Sequence, residues 1–172
     1  IAGIVARTFG IDTHNHIDVP LIKSELPGPK VDLAGELNKS GLKAICMTFA
    51  VDYQKLTYEG EAYERFMNGL DAMDKILETN QIKRAYNLAD LKKVHKLGTP
   101  TVIQSVEGGH FLEGKIERLE IAYQRGLRQL GLGSSVFSDT VNSSYRDRFG
   151  DMQLETNIEY RFTLANFSSA KA

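Results

Sequence analysis

The feature of this sequence that most limits its fold is a repeated order of short apolar runs and longer amphipathic segments. Residues 42–51 (LKAICMTFAV) are almost entirely apolar, which is typical of a strand buried on both faces. Residues 61–77 carry apolar side chains at steps of three and four, which predicts an amphipathic helix. Strands that alternate with helices form parallel β/α units. The sequence therefore predicts an α/β fold, and the periodicity alone leaves open whether the sheet is open or closed into a barrel.

The other predicted elements follow the same order. Strands are predicted at residues 8–12, 101–106 and 127–132, and helices at residues 31–40, 88–97 and 115–124. Gly41 and Gly98 come directly after two of these helices, at the position where a glycine most often ends a helix.

The last part of the chain departs from this order. Residues 134–151 are rich in Ser, Asp, Asn and Arg and are interpreted as a loop or linker. Residues 152–164 alternate between apolar and polar side chains, which predicts a strand with one apolar and one polar face. We therefore divide the chain into residues 1–134, the α/β part, and residues 135–172, a linker and an amphipathic strand whose origin the sequence leaves open.

Composition excludes several classes of protein. The 21 basic residues nearly balance the 22 acidic ones, so no bulk field favours nucleic acid or an anionic membrane, and we expect no nucleic-acid partner. No apolar run reaches the roughly 18 residues that a membrane helix needs. We expect no signal peptide, which leaves the bacterial periplasm and the cytoplasm both open. The single cysteine, Cys46, excludes an internal disulfide and is interpreted as a packing residue of a buried strand.

Two histidines follow the first predicted strand, in the segment from Asp12 to His16 (DTHNH). On an extended strand, His14 and His16 project to the same side, and two imidazoles on one face can bind a single zinc ion. Asp12 and Asp18 are candidates to orient the two rings. The alternative is a polar loop that happens to contain two histidines.

A second candidate site follows the predicted strand at residues 101–106. Glu107 lies at the carboxyl end of that strand, where α/β proteins place their functional groups. Gly108 and Gly109 permit a sharp turn beside a ligand, and the carboxylate could bridge two metal ions. The alternative is an ordinary β-to-α turn with an exposed glutamate. His110 is interpreted as a solvated loop residue or a further polar group near the site, and Arg118 as a surface charge.

Several motifs together resemble the membrane (renal) dipeptidase family, peptidase family M19. The segment from Asp12 to Pro20 resembles the family's DGHNDLP opening, and Val106 to His110 matches its IEGGH. Residues 31–33 and 40–49 are similar to its DLPRLREGGVGAQFWS segment, and residues 119–132 are similar to LRALYQLGMRYLTLTH. These motifs occur in the family's order and cover the chain from about residue 9 to residue 132.

The resemblance implies a (β/α)8 TIM barrel of the metal-dependent amidohydrolase type with a two-zinc site. It implies that His14 and His16 bind one metal ion and that Glu107 bridges both, with Glu107 as the catalytic residue. Enzymes of this family hydrolyse dipeptides through a metal-bound hydroxide, and some act on D-residues or dehydropeptides. The implied substrate is therefore a dipeptide, and the implied cofactor is Zn²⁺, of which this chain retains two ions, one or none.

The sequence also departs from the family pattern. His16 stands where the family has aspartate, and an imidazole can fill that coordination place. Ser134 stands where the family has a substrate-binding histidine, so the substrate-binding residues stay unknown. A (β/α)8 barrel needs about 250 residues, so the 172 residues correspond to about its first half, without the family's two later histidine ligands and its proton-shuttling aspartate. Residues 149–162 instead resemble a strand of an outer-membrane barrel, which suggests a truncated or joined gene.

These observations lead to three hypotheses about function. The first is a zinc-dependent dipeptidase, truncated and of doubtful activity unless another chain completes the barrel. The second is another amidohydrolase, such as a deacylase or a lactonase. The third is a non-catalytic fragment or a binding module whose terminal strand adds to a partner's sheet. Half-barrels expose strand edges, so a homodimer is also expected.

Overall fold

The computed structural model describes residues 8–51 and 55–131 of the chain. The strands are β1 (Ile11–His16), β2 (Ala44–Ala50), β3 (Lys83–Arg84), β4 (Thr101–Glu107) and β5 (Leu127–Gly131). The helices are α1 (Leu33–Ser40), α2 (Glu61–Thr79), α3 (Leu88–Leu97) and α4 (Glu117–Gln124). Short 3-10 helices occupy Lys23–Glu25 and His110–Leu112. The order of strands and helices confirms the predicted α/β fold.

Helix boundaries follow from local capping chemistry. The Asp32 carboxylate accepts a hydrogen bond from the backbone N–H of Gly35 (3.0 Å) at the start of α1. The Asn87 side chain accepts one from the N–H of Asp90 (3.0 Å) at the start of α3. Gly41 and Gly98 end the two helices with φ values of 73° and 70°, a left-handed conformation that glycine adopts without steric cost. The helix ends predicted at Gly41 and Gly98 are therefore confirmed.

All strand pairs in the sheet are parallel. Strand β2 lies between β1 and β4, and β5 pairs with the opposite edge of β4. The two-residue β3 occupies the lower part of that same edge, beside Thr101 and Val102. The four longer strands thus run in chain order, β1-β2-β4-β5, which is the order of successive β/α units in a barrel.

The sheet has two distinct faces. The helix face carries side chains that pack under the helices: Ile45, Met47 and Phe49 of β2, and Val102, Gln104 and Val106 of β4. The other face, here called the inner face, carries smaller or more polar side chains except at Ile103: Ala44, Cys46, Thr48 and Ala50 of β2, and Thr101, Ile103, Ser105 and Glu107 of β4. Glu107 therefore lies on the inner face, at the carboxyl edge of the sheet.

Helix α2 packs closely on the helix face through an aromatic cluster. Phe66 has no exposed surface, and its ring stacks on that of Phe111 at a centroid distance of 4.1 Å. A Cβ atom added to Gly69 would lie only 2.4 Å from the Phe49 ring, so this helix position requires glycine for the helix to approach β2. The stack joins α2 to the turn that follows Glu107.

The first turn of α2 is fixed by a buried carboxylate. The side chain of Glu61 accepts hydrogen bonds from the Thr57 backbone N–H and hydroxyl, and forms an ion pair with Arg65. The backbone N–H of Thr57, together with its hydroxyl group and the Arg65 guanidinium, lowers the pKa of Glu61 to about 2. The carboxylate thereby holds the segment before α2 in place.

Acid is expected to weaken the fold partly through Glu61. A carboxyl group whose pKa is lower in the folded than in the unfolded chain stabilises the native state above its unfolded pKa. For Glu61 this stabilisation is complete above about pH 4.5 and is lost as the pH falls towards about 2. Urea unfolding at about pH 6 and about pH 3 should therefore show a smaller acid-induced loss of unfolding free energy in Glu61→Gln than in the parent.

Glu78→Gln is the matched control for this prediction, because Glu78 is an exposed carboxylate on the same helix. Its acid-induced loss should equal that of the parent. An equal loss in Glu61→Gln and the parent would show that Glu61 does not contribute to the acid response.

The structure corrects several details of the predicted elements. Strand β1 begins and ends later than the predicted strand at residues 8–12, so both histidines lie inside it. Strand β3 was not predicted, because two residues carry no detectable alternation. Among the described residues no helix is both long and apolar enough to span a bilayer. The predicted strand at residues 152–164 and the boundary after residue 134 lie outside the described residues and stay predictions.

The interpretation of Arg118 as a surface charge is wrong. Arg118 is only 9% exposed, and its Nη1 atom donates hydrogen bonds to the Phe111 carbonyl oxygen (2.7 Å) and to Glu113 Oε2 (2.8 Å). Its guanidinium also lies 4.0 Å from the ring centroid of Tyr63. The side chain is buried because the turn after β4 presents carbonyl oxygens that need a donor.

Among the described residues, each of the two outermost long strands of the sheet pairs with a single neighbouring strand. Strand β1 pairs with β2, and β5 pairs with β4. Open edges of this kind favour pairing with another chain. The homodimer expected from the sequence stays a prediction.

Candidate metal centre

The candidate site is built at the carboxyl edge of the sheet by two strands that flank β2. His16 is the last residue of β1 and pairs with Thr48, and Glu107 is the last residue of β4 and pairs with Ala50. Thr48 and Ala50 both belong to the inner face, so the register places His16 and Glu107 on the same side of the sheet. Backbone hydrogen bonds from Ile17 N to Thr48 O (2.9 Å) and from Val51 N to Glu107 O (3.0 Å) extend the strand pairing just past the site.

The three predicted metal ligands converge. The Nε2 atom of His16 lies 2.9 Å from Nε2 of His14 and 3.0 Å from Oε2 of Glu107. The Nε2 atom of His14 lies 4.0 Å from the same Glu107 oxygen. The structure thus brings together residues that are far apart in the sequence, as the sequence predicts.

The donor set and its dimensions fit a zinc ion. Two ligand atoms at the usual zinc distances of about 2.0–2.1 Å, at a tetrahedral angle, are about 3.3 Å apart. The three distances of 2.9, 3.0 and 4.0 Å bracket that value. Two imidazole nitrogens and one carboxylate oxygen are ligands that zinc prefers. His14, His16 and Glu107 therefore form a group that could hold a metal ion.

The two imidazole rings of the site are more exposed to solvent than the carboxylate. The side chains of His14 and His16 are 55% and 49% exposed, whereas that of Glu107 is 19% exposed. Gly108 follows Glu107 with a φ of 93°, which turns the chain sharply away from the carboxylate. A small molecule can therefore approach the rings from solvent while the carboxylate stays held by the end of β4.

Asp12, a candidate to orient the two rings, contacts the strand that carries them. Its Oδ1 atom accepts a hydrogen bond from the backbone N–H of His14 (3.1 Å), and its Oδ2 atom accepts one from Nδ2 of Asn15 (3.0 Å). The Asn15 amide and the His14 N–H together lower the pKa of Asp12. Asp12 thus binds the backbone that carries the histidines, rather than an imidazole ring. Asn15 was missed by the sequence analysis, although an asparagine three residues after an aspartate is a known signal of such local turns.

The remaining candidates lie around this centre in different ways. His110 begins the 3-10 helix after Glu107 and is half-buried, with a buried Nδ1 atom, so the interpretation as a solvated loop residue is wrong. Among the described residues, Asp18 forms no hydrogen bond with either imidazole. Cys46 is buried in β2, and this burial raises the pKa of its thiol, in agreement with a packing role. Ser134 lies outside the described residues.

Comparison with known families gives one match over most of the chain. The family model of the membrane dipeptidases, peptidase family M19, matches residues 2–156. The match extends beyond residue 132, where the resemblance read from the sequence ends. A comparison with curated proteins gave no match.

Solved structures share the fold. An amidohydrolase from Pseudomonas aeruginosa is 20% identical with a TM-score of 0.55, over 76% of this chain and 35% of that one. The probable dipeptidase PvdM from Pseudomonas aeruginosa is 15% identical with a TM-score of 0.58, over 77% of this chain and 36% of that one. The dipeptidase AC, a metallopeptidase of family M19, is 16% identical with a TM-score of 0.55, over 71% of this chain and 41% of that one.

These likenesses confirm the predicted partial barrel. The described α/β part corresponds to a portion of an amidohydrolase barrel, and the chain spans 35–41% of the length of the three solved structures.

Proposed function

Because the chain belongs to the membrane dipeptidase family, peptidase family M19, we propose that it is a zinc-dependent hydrolase of dipeptides whose metal ion is held by His14, His16 and Glu107. The observation that supports this proposal is the convergence of two imidazole Nε2 atoms and one carboxylate oxygen within 4.0 Å. Family membership alone would not require these ligands to be assembled in a chain that spans about two-fifths of its solved relatives or less.

Each ligand has a separate task in this proposal. A bound zinc ion supplies a Lewis acid that polarises a carbonyl group and makes a water molecule more acidic. His14 and His16 would contribute nitrogen ligands from the more exposed side of the site. Glu107 would contribute a carboxylate oxygen from the last residue of β4.

The geometry leaves a path for a dipeptide. Both imidazoles are about half exposed, so a small amide could approach them directly from solvent. The carboxylate is more buried than the rings, and lower exposure to water would strengthen its attraction for a cation held there. The proposed substrate class is therefore a small amide that enters from the carboxyl edge of the sheet.

A direct assay tests this function. The 172-residue chain, purified and loaded with Zn²⁺, is assayed with a panel of L,L-, L,D- and dehydro-dipeptides. Hydrolysis of at least one of them is expected when a second chain completes the barrel, and weak or absent hydrolysis is expected from the chain alone. His16→Ala should abolish that hydrolysis, because it removes one of only three ligands among the described residues. His95→Ala is the matched control, since His95 is an exposed histidine on α3, and it should leave hydrolysis unchanged.

The same assay separates the other hypotheses. Hydrolysis of N-acyl amino acids or lactones in place of dipeptides would favour a deacylase or a lactonase with the same zinc chemistry. A chain that binds zinc at these three residues but hydrolyses none of the substrates, even when a second chain completes the barrel, would favour a binding module. A chain that holds no zinc would contradict the proposed function itself.

A further inference from the structure

Strand β1 contains an extra residue directly before the site. It pairs with β2 at Asp12–Ile45 and next at Asn15–Met47, so two residues of β1 face a single residue of β2 between these pairs. This two-against-one arrangement is a β-bulge, a feature that re-aims side chains and often lies beside functional sites.

The bulge changes which face each side chain occupies. In a regular strand, Asp12, His14 and His16 would all point to the same side, because side chains alternate. Here Asp12 pairs with a residue of the helix face of β2, whereas His16 pairs with Thr48 of the inner face. The bulge thus separates the Asp12 carboxylate from the two imidazoles and leaves the inner face to the metal ligands.

The Asp12 carboxylate spans the bulge. Because a bulge interrupts the ladder of backbone hydrogen bonds, the amide of a bulged residue needs another acceptor. Oδ1 of Asp12 accepts the His14 N–H at 3.1 Å, and Oδ2 accepts Nδ2 of Asn15 at 3.0 Å. One side chain therefore ties together the residue before the bulge, the bulged residue and the residue after it.

We propose that Asp12 is a positioning residue that holds the bulge of β1 in the form that directs the His14 ring towards His16 and Glu107. The inference rests on the proposed function, because its main test measures the affinity of the chain for Zn²⁺. It concerns the backbone of His14 rather than its ring: the carboxylate fixes where the Cα atom of His14 lies, and Nε2 then falls 2.9 Å from Nε2 of His16. Asn15 acts with it as the second anchor of the carboxylate.

Zinc affinity measures this role directly. Loss of a group that orients a metal ligand typically weakens binding by about 10- to 100-fold, so Asp12→Ala is expected to raise the Kd for Zn²⁺ by that factor in a competition assay with a chromophoric chelator. The Co²⁺-loaded variant should show weaker or shifted visible absorption bands, because the His14 nitrogen is no longer held in place. Asp12→Asn keeps an oxygen acceptor for the His14 N–H and should recover part of the affinity.

Asp32→Ala is the matched control. Asp32 likewise accepts a backbone N–H a few residues along the chain, at the start of α1, and it is not among the three candidate ligands. It should lower the thermal stability of the metal-free chain at least as much as Asp12→Ala, while its Kd for Zn²⁺ stays at the parent value.

A second measurement does not depend on the metal. In the metal-free parent, the close rings of His14 and His16 should give a nuclear Overhauser effect between their ring protons, since their centroids are 4.7 Å apart. Asp12→Ala should weaken this signal, and Asp32→Ala should not.

The outcomes distinguish this proposal from the proposed function. If the parent binds zinc and Asp12→Ala binds it equally tightly, the positioning role is wrong and the proposed function stands. If the parent binds no zinc but the ring-to-ring signal depends on Asp12, the proposed function is wrong and the positioning role stands. If Asp32→Ala loses zinc affinity as much as Asp12→Ala does, the effect is one of general stability and the positioning role is wrong.

Discussion

Glu107→Gln is expected to release zinc from the purified chain. The substitution keeps the size of the side chain but removes the negative charge of the ligand set, and a neutral amide oxygen is a poor zinc ligand. Because Glu107 is a ligand in the proposed site, we expect a loss of affinity larger than the roughly 100-fold upper range for groups that only orient ligands. Elemental analysis after dialysis and a chelator competition assay both measure this loss.

Glu120→Gln provides the matched control for Glu107. It removes the same charge from an exposed position on α4, where Glu120 contacts Gln124, and it should retain the zinc content of the parent. Equal zinc content in Glu107→Gln and the parent would exclude the carboxylate from the site, and the three-ligand centre would then have to be abandoned.

Phe66→Ala is expected to have the largest effect on stability. The Phe66 ring is fully buried and lies against the rings of Phe111, Phe49 and Tyr63, with centroid distances of 4.1, 6.3 and 6.2 Å. Truncation of a buried phenylalanine to alanine costs about 3–5 kcal/mol, a large share of the 5–15 kcal/mol by which a typical domain is stable. Urea unfolding followed by circular dichroism measures the change.

The control for Phe66 is an exposed apolar residue. Leu97 at the end of α3 is 63% exposed, and Leu97→Ala should change the unfolding free energy by less than about 0.5 kcal/mol. A loss below about 1 kcal/mol in Phe66→Ala would mean that the aromatic cluster contributes little to stability. In that case α2 would be held to the sheet mainly by its other buried residues.

Much of the fold could be predicted from periodicity and capping. The nearly continuous apolar run around β2 identified a strand buried on both faces, and the apolar stripe of α2 identified its longest helix. Helix α3 occupies Leu88–Leu97, the predicted range, because an asparagine cap precedes it and a glycine ends it. These patterns reflect local preferences, and such preferences are kept in the native structure when they are consistent with the packing of the core.

The features that were missed depend on tertiary contacts. Strand β3 exists because Lys83 and Arg84 pair with β4, and two residues have no pattern of their own. The burial of Arg118 depends on the carbonyl groups of a turn that no sequence pattern reveals. Hydropathy scales rank arginine as strongly polar, so the burial of Arg118 could not be predicted without knowing the structure of the turn.

The candidate site was found from the sequence for a reason that proved incomplete. Alternation in a regular strand predicts that His14 and His16 project to one side, and the structure does bring their Nε2 atoms together. The strand is not regular, however, because Thr13 and His14 together face one residue of β2 and form a bulge that contains the first histidine. The convergence of the two histidines with Glu107 could be predicted because both motifs lie at the carboxyl ends of strands. In a parallel sheet these ends meet at one edge, whatever the motifs themselves contain.

The strand order also has a consequence for how the chain reaches its native state. His14 and His16 are neighbours in any conformation, but Glu107 joins them only after β4 has paired with β2 in the register Ala44–Thr101. Such non-local pairing forms slowly, so the complete ligand set belongs to the native state and is absent from the denatured chain. Zinc should therefore bind the native chain in preference to the denatured one and raise the midpoint of thermal denaturation in proportion to the logarithm of its concentration.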